Sequence, residues 1–449
     1  MTYNSGVLCQ MRSASEDSAA HKPMLLLAVV FCGLLTSYYY AFLLLPSLLA
    51  QSNMGPNLYP VWYASRVVLF EHQDPYSAAV TREIQQVMYG ESVKEGTEIF
   101  NEHRFAYPLL AIFLFAPIAW LPFRDAQALV LVLSLVITAL VTQVWIPRRT
   151  RPATQFLCII LVLAAPPIAW AVQLRQPSLL FAALLAACVA AIRNGRLTVA
   201  GVLGAMATAK PQLAIAVLTP LVVWALSDWW SRKRFVISLT LTECALLAAS
   251  EWMCPGWLPR WLSTIRAYAG YAGAKPLIHL LPGRCLPTIA GVLLLLAVLV
   301  ASWKWRNADP QLAIGFSVAA FSVLLPFQIY NQIMLAPAVF WIAFRGVAHG
   351  GTLLSVLRGW MLGLLYAEWG ATALLAAVHL IDPRTTGSLW ALPFALAWVF
   401  QLVLLVGMIT TLLTRRCAVA ATVMESRPEA SPGLLAMPLQ RCGELWQVR

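Results

Sequence analysis

QALVLVLSLVITALVTQVWIP, residues 127–147, decides the fold of this chain: it passes without a single charge and stops at RRTR, residues 148–151. Nearly every position is apolar, so the two-residue alternation of a half-buried strand is missing. As a helix rising 1.5 Å per residue, the run covers roughly 30 Å, the thickness of a bilayer's hydrocarbon core. A helix satisfies its backbone donors and acceptors internally, which lipid demands. The arginines that end the run match a loop held on the cytoplasmic side of a membrane.

The pattern repeats along the chain. Apolar segments fall at 24–50, 107–122, 127–147, 153–172, 177–192, 197–227, 235–253, 286–302, 311–329, 331–344, 359–380 and 389–413. The 449 residues are 60% hydrophobic and 11% charged, with a mean hydropathy of +0.73. Soluble domains carry about 25% charged residues, so lipid is the solvent for most of this chain. The expected fold is an all-α integral membrane bundle of about twelve transmembrane helices. The run at 24–50 is too long for a signal-peptide core and reads as an uncleaved first helix. The expected organisation is a cytoplasmic tail over 1–23, a polytopic domain over 24–414 and a disordered tail over 415–449. Hydrophilic loops at 50–106 and 254–285 lie on the extracytoplasmic side, and the location is the plasma membrane, multi-pass.

The net charge of +12 points away from nucleic acid, because many of the Lys and Arg sit in short clusters between apolar runs. These are 148–151, 193–196, 232–234, 304–306 and 415–416, the positive-inside pattern. One conflict remains. With 50–106 outside, simple alternation also puts 148–151 outside, so one segment must break or re-enter. The nine cysteines form no CxxC pair and show no metal-ligand spacing.

Polar breaks in apolar runs are the places to look for chemistry, since polar groups at membrane depth are tolerated where they line a cavity. Gln173, Arg175, Gln176 and Ser178 interrupt one run. Lys210, followed by Pro211, interrupts 197–227, leaving either one kinked helix or two short ones. A buried Lys calls for an anionic partner such as phosphate, although a Lys near a helix end can also snorkel to the interface. Tyr330-Asn331-Gln332 interrupts a third run, and Glu243 and Glu368 are carboxylates at membrane depth. The first loop holds Asn57, Tyr59, Trp62, Arg66, Glu71, Asp74 and Tyr76. Its aromatics form either an interfacial belt or a pocket in which rings stack on a sugar and a carboxylate acts as base. In the second loop Trp257, Trp261, Ile265 and Tyr268 fall at helical spacing, predicting an amphipathic helix within 255–271.

The order of motifs resembles a known family. Asp-Pro-Tyr (74–76) is followed by Phe-Ala-Tyr-Pro (105–108), Ala-Pro-Ile-Ala-Trp-Leu-Pro (116–122), Arg-Gln-Pro-Ser-Leu-Leu (175–180) and Ala-Lys-Pro-Gln (209–212). In this order they look like glycosyltransferase family 87, integral membrane enzymes of the GT-C type. The resemblance implies a polyprenyl-phosphate sugar donor and a glycolipid or glycan acceptor. It implies transfer on the outer face without a cofactor or an obligatory metal, with membrane lipid as the surroundings. A first-loop aspartate would take the acceptor's proton. Lys210, Arg175, Gln176 and Arg66 would receive the donor phosphate, and Tyr59, Trp62 and Tyr76 would contact the sugar or acceptor. At the place of the family aspartate this chain has Asn57, which cannot act as a base; losing one typically costs about 10²–10⁴ in rate. Asp74, then Glu71, are the substitute carboxylates. A transporter or flippase and a non-catalytic sugar-lipid-binding relative are the alternatives.

Overall fold

A computed structural model describes residues 34, 37–38, 55, 57–89, 103–271, 275–345, 352–381 and 392–425. Most of the predicted first helix, 24–50, lies outside these residues, as do the N-terminal tail and most of the C-terminal one. Among the described residues the regular structure is helical throughout, with no strand.

The founding stretch forms a helix, Phe123–Trp145, long and apolar enough to cross a membrane. Four others pass the same test: Trp229–Met253, Cys285–Trp305, Ser355–His379 and Ala395–Leu413. A sixth span arises if Pro152–Ala164 and Pro166–Gln173, bent by 60°, count as one. The remaining apolar runs make shorter helices of 10–17 residues, among them Ser178–Arg193, Leu197–Ala207, Pro211–Leu226 and Pro310–Leu324. Among the described residues, then, five helices, or six with the bent pair, are long and apolar enough to cross, and the other apolar runs expected to span form shorter helices.

The helices used below are numbered in chain order: α1 (Tyr59–Arg66), α2 (Ala78–Tyr89), α3 (Ala111–Ala119), α4 (Phe123–Trp145), α5 (Pro152–Ala164), α6 (Pro166–Gln173), α7 (Ser178–Arg193), α8 (Leu197–Ala207), α9 (Pro211–Leu226), α10 (Trp229–Met253), α11 (Trp257–Tyr271), α12 (Cys285–Trp305), α13 (Pro310–Leu324), α14 (Ala336–Arg345), α15 (Thr352–Ile381) and α16 (Leu392–Glu425). At the hub stands α13, buried at every position from Gln311 to Val323. It starts at Pro310, behind the cap residue Asp309. One Asp309 carboxylate oxygen accepts from the Leu312 amide at 3.2 Å, and the other accepts from the Trp341 indole at 2.9 Å. That carboxylate ties α13 to α14.

The ends of the helices resolve the conflict over 148–151. Arg148 donates to Asn194 at 3.3 Å, Arg193 to the Val144 carbonyl, and Arg232 to Asn307 at 3.0 Å. Four of the five basic clusters, 148–151, 193–196, 232–234 and 304–306, thus gather at one end of the bundle. At the opposite end of α10, Arg260 pairs with Asp74 at 2.7 Å. The segment that fails to cross is 107–122. Its helix, α3, spans nine residues, about 14 Å at 1.5 Å per residue. It lies against α1 in the first-loop layer: the Trp62 indole donates to the Ile118 and Leu121 carbonyls, and Arg66 to the Ala119 carbonyl. Pro117 and Pro122 cut that run short of a span.

Close contact of α8 with α10 fixes the half of the bundle that carries Lys210. A Cβ on Gly201 would lie 2.4 Å from the Phe235 carbonyl oxygen and 2.7 Å from the Leu239 amide nitrogen. Only glycine lets the two backbones approach this closely, the small-residue packing that helices use in lipid.

Candidate functional site

Three interrupted helices meet at one place. The first interruption, between α6 and α7, turns on Arg175, whose φ of 47° is left-handed. Gly or Asn would hold this conformation at less strain. The chain instead keeps an arginine there, fully buried, with Nη1 donating to the Gln173 carbonyl at 2.7 Å. The turn closes with the Gln176 amide donating to the Ala171 carbonyl at 2.8 Å. The second interruption separates α8 from α9: Lys210 precedes Pro211 and leaves the helical conformation (φ −128°, ψ 79°), as proline disfavours a helical residue before it. Of the two forms left open for 197–227, the pair of short helices is the one that forms. The third is the 3₁₀ turn Ile329–Leu335 between α13 and α14, which carries Tyr330 and Asn331.

Lys210 is the centre. The residue is 5% exposed. It donates to the Ser178 hydroxyl and to the Asn331 side-chain oxygen at 3.2 Å. Ser178 in turn donates to the same Asn331 oxygen at 2.6 Å. The ammonium lies 5.8 Å from the Tyr107 ring centre and 5.7 Å from that of Tyr330. Among the described residues no carboxylate lies within 4 Å of it. Neutral dipoles and ring faces therefore do what a counter-ion would ordinarily do. A buried cation in such a setting marks a candidate functional site, and its natural partner is an anion.

The site is wired to the loops. Tyr107 donates to the Gln176 side chain at 3.4 Å, and its carbonyl accepts from the Tyr76 hydroxyl at 2.8 Å. Tyr330 is hydrogen-bonded to Tyr268 on α11. The Trp261 indole donates to the Ala106 carbonyl at 3.2 Å. The amphipathic helix expected within 255–271 thus forms as α11 and covers the site with its aromatic face.

Asp74 lies one step further out. Its Oδ1 accepts from the Tyr76 amide at 3.0 Å and from the Cys254 thiol at 3.7 Å. Oδ2 takes the Arg260 guanidinium, and Arg260 and Asp74 are 39% and 24% exposed. This pair clasps the first loop to the second. Burial, and then the Asp74 charge, push the Cys254 thiol up, so it stays a donor. Burial likewise drives the Tyr76 hydroxyl far above the usual phenol range, so it keeps the proton it gives to Tyr107.

The residues singled out in the sequence divide into two groups. Lys210, Gln176, Arg175 and Tyr76 come together. Asn57 sits at their edge, in a turn where the Gly55 carbonyl accepts from the Leu58 and Tyr59 amides. Gly55 itself presses on the Arg175 side chain, where a Cβ would lie 2.9 Å from Cδ. The others lie apart. Tyr59 and Trp62 are buried with Val67, Val80, Ile84 and Ala126 in a small core under the first loop. Arg66 stacks on Trp62 and Phe70. Glu71 is exposed and bonds Gln73. Ser178, Asn331, Tyr107 and Tyr330 complete the site. Each stood in a noted motif, yet none carried a signal that separated it from an ordinary turn residue.

The model of glycosyltransferase family 87 matches residues 105–327. That span begins at Phe105 and contains Tyr107, Arg175, Gln176, Ser178 and Lys210, while the first loop precedes it. No curated protein and no solved structure matches the chain.

Proposed function

The chain belongs to glycosyltransferase family 87, and on that premise we propose that it moves a hexose or pentose from a polyprenyl-phosphate donor to a glycolipid or glycan acceptor at the extracytoplasmic face of the plasma membrane. The observation that carries this reading is Lys210, a buried ammonium held by Ser178, Asn331 and two tyrosine faces, with no carboxylate within 4 Å among the described residues. When the sugar leaves, the lipid phosphate gains negative charge. A preorganised cation in a water-poor site stabilises that charge as it develops. Arg175 and Gln176, on the neighbouring break, shape the same receptor. The basic clusters face the cytoplasm by the positive-inside bias, which puts the Asp74–Arg260 end, the sugar and the acceptor outside.

Asp74 is the first-loop carboxylate we assign to the acceptor's proton, because hydrogen bonds join it through Tyr76 to Tyr107, whose ring faces Lys210. Arg260 must yield for it to act as base. Glu71 points to solvent beside Gln73 and is the reserve assignment. Tyr76 keeps the sugar-contacting role, while Tyr59 and Trp62 hold the loop on α3 and α4.

The test offers labelled polyprenyl-phosphate sugars to wild type, Asp74→Asn and Arg260→Gln. A base predicts that Asp74→Asn loses about 10²–10⁴ of the rate while Arg260→Gln keeps most of it. Equal losses would leave Asp74 a clasp only. A second reading, a sugar-lipid-binding protein without catalysis, is favoured by Asn57 at the place of the family aspartate. It predicts that wild type binds the donor and transfers nothing.

A further inference from the structure

A cavity lies at the basic end of the bundle, away from the Lys210 site. Its volume is about 650 Å³, and it opens where α8 and α10 begin side by side. Arg196 and Thr198 line one wall, and Trp230, Ser231, Lys233 and Arg234 the other. Three cations and two hydroxyls converge there, and no carboxylate is among the lining residues. The nearest acid along the chain, Asp228, pairs with Arg232 instead, at 3.8 Å. Lys233 lies over the Trp230 ring at 5.0 Å.

The surroundings specify the kind of anion. Trp230 is 79% exposed at the end of a membrane-crossing helix, where aromatic side chains mark the lipid head-group level. From it an exposed stripe runs down α10 through Arg234, Ile237, Leu241 and Trp252. These positions recur at helical spacing on the face turned away from α8, which is fixed by Gly201 against Phe235 and Leu239. Trp230 and Arg234 belong to both the cavity and the stripe, so a charged cavity at the interface adjoins an apolar track along the hydrocarbon.

We propose that this cavity binds the phosphate-bearing head group of an anionic membrane lipid, with an acyl chain lying along the α10 stripe. The basic side chains take the phosphate, Ser231 and Thr198 take its oxygens or the head-group hydroxyls, and Trp230 covers the glycerol level. Since α10 spans about 37 Å, the site is on the opposite membrane face from Asp74. It is no part of the transfer chamber. Its occupancy would steady α8, the helix that leads to the break at Lys210.

The test is native mass spectrometry of the full-length protein in detergent, titrated with phosphatidylglycerol or phosphatidylcholine of identical chains. The expected result is one tight phosphatidylglycerol per protein. In Arg196→Gln/Lys233→Gln/Arg234→Gln that binding weakens about 100-fold, at roughly fivefold per basic residue removed. Weak phosphatidylcholine binding stays unchanged, which reports an intact fold. Arg196→Lys/Arg234→Lys keeps the binding. A control at the other end, Arg266→Gln/Lys275→Gln/Arg284→Gln, removes the same charge from exposed positions and leaves binding intact. Unchanged phosphatidylglycerol binding in the first triple variant would overturn the proposal, as would an equal loss in the control. Displacement of the lipid by inorganic phosphate at equal concentration would show a free-anion site and overturn it too.

Discussion

Lys210 brings a charge into the bundle that folding alone would not choose. Its ammonium is satisfied by Ser178 and Asn331, and those two already hydrogen-bond to each other. Replacing Lys210 with Met would remove the buried charge and leave that pair intact. Exchanging buried ionic groups for apolar ones of similar volume is often stabilising, by about 1–4 kcal/mol. The expected outcome for Lys210→Met is thus a thermal midpoint in detergent equal to or above that of wild type. A clear fall would mean that the ammonium holds the three helix breaks together. Asn331→Leu is the opposite case: it strips the oxygen that both Lys210 and Ser178 use, leaves a buried cation short of a partner, and should lower the midpoint by about 1–3 kcal/mol equivalent.

At the scale of elements, the broken helices are what the sequence announces most clearly. Arg175-Gln176-Pro177, Lys210-Pro211 and Tyr330-Asn331-Gln332 each interrupt an apolar run, and each becomes a real break. Their convergence could not be read, because it depends on depth: α7 and α9 have 16 residues and α13 has 15, so their interrupted ends reach similar levels. The failure of α3 to cross was legible only as a conflict of charge. Apolar composition marks a segment as buried, while its nine-residue length, cut by prolines, decides that it lies beside α1 rather than across the bilayer. The α8–α10 contact gives a direct prediction. Gly201→Ala meets backbone atoms at 2.4 and 2.7 Å, so the helices must separate. A loss of about 1–3 kcal/mol is expected, read as a lower thermal midpoint. Gly359→Ala, whose Cβ meets nothing within 4 Å, should leave it unchanged.

For the whole molecule, polarity is the organising feature. Four basic clusters share one end, and the other carries the Asp74–Arg260 clasp with α11 over the Lys210 site. Asp74 and Arg260 are 186 residues apart, and nothing in their local sequence pairs them. Charge placement along the chain was enough to assign a membrane protein, and the motif order was enough to point to its family. The clasp and the chamber needed the fold. If the basic end is cytoplasmic, Arg149→Cys in a background without native cysteines reacts with an impermeant maleimide only in inverted vesicles. Arg266→Cys then reacts only from outside. The reverse pattern would turn the active face inward.

The most direct measurement is sugar transfer from labelled polyprenyl-phosphate donors by purified wild type and by Lys210→Ala, each at saturating acceptor. The account predicts turnover by wild type and a loss of about 10²–10³ in Lys210→Ala, the size expected for removing one preorganised charge-stabilising group. Wild-type turnover that survives in Lys210→Ala would contradict the role given to this residue.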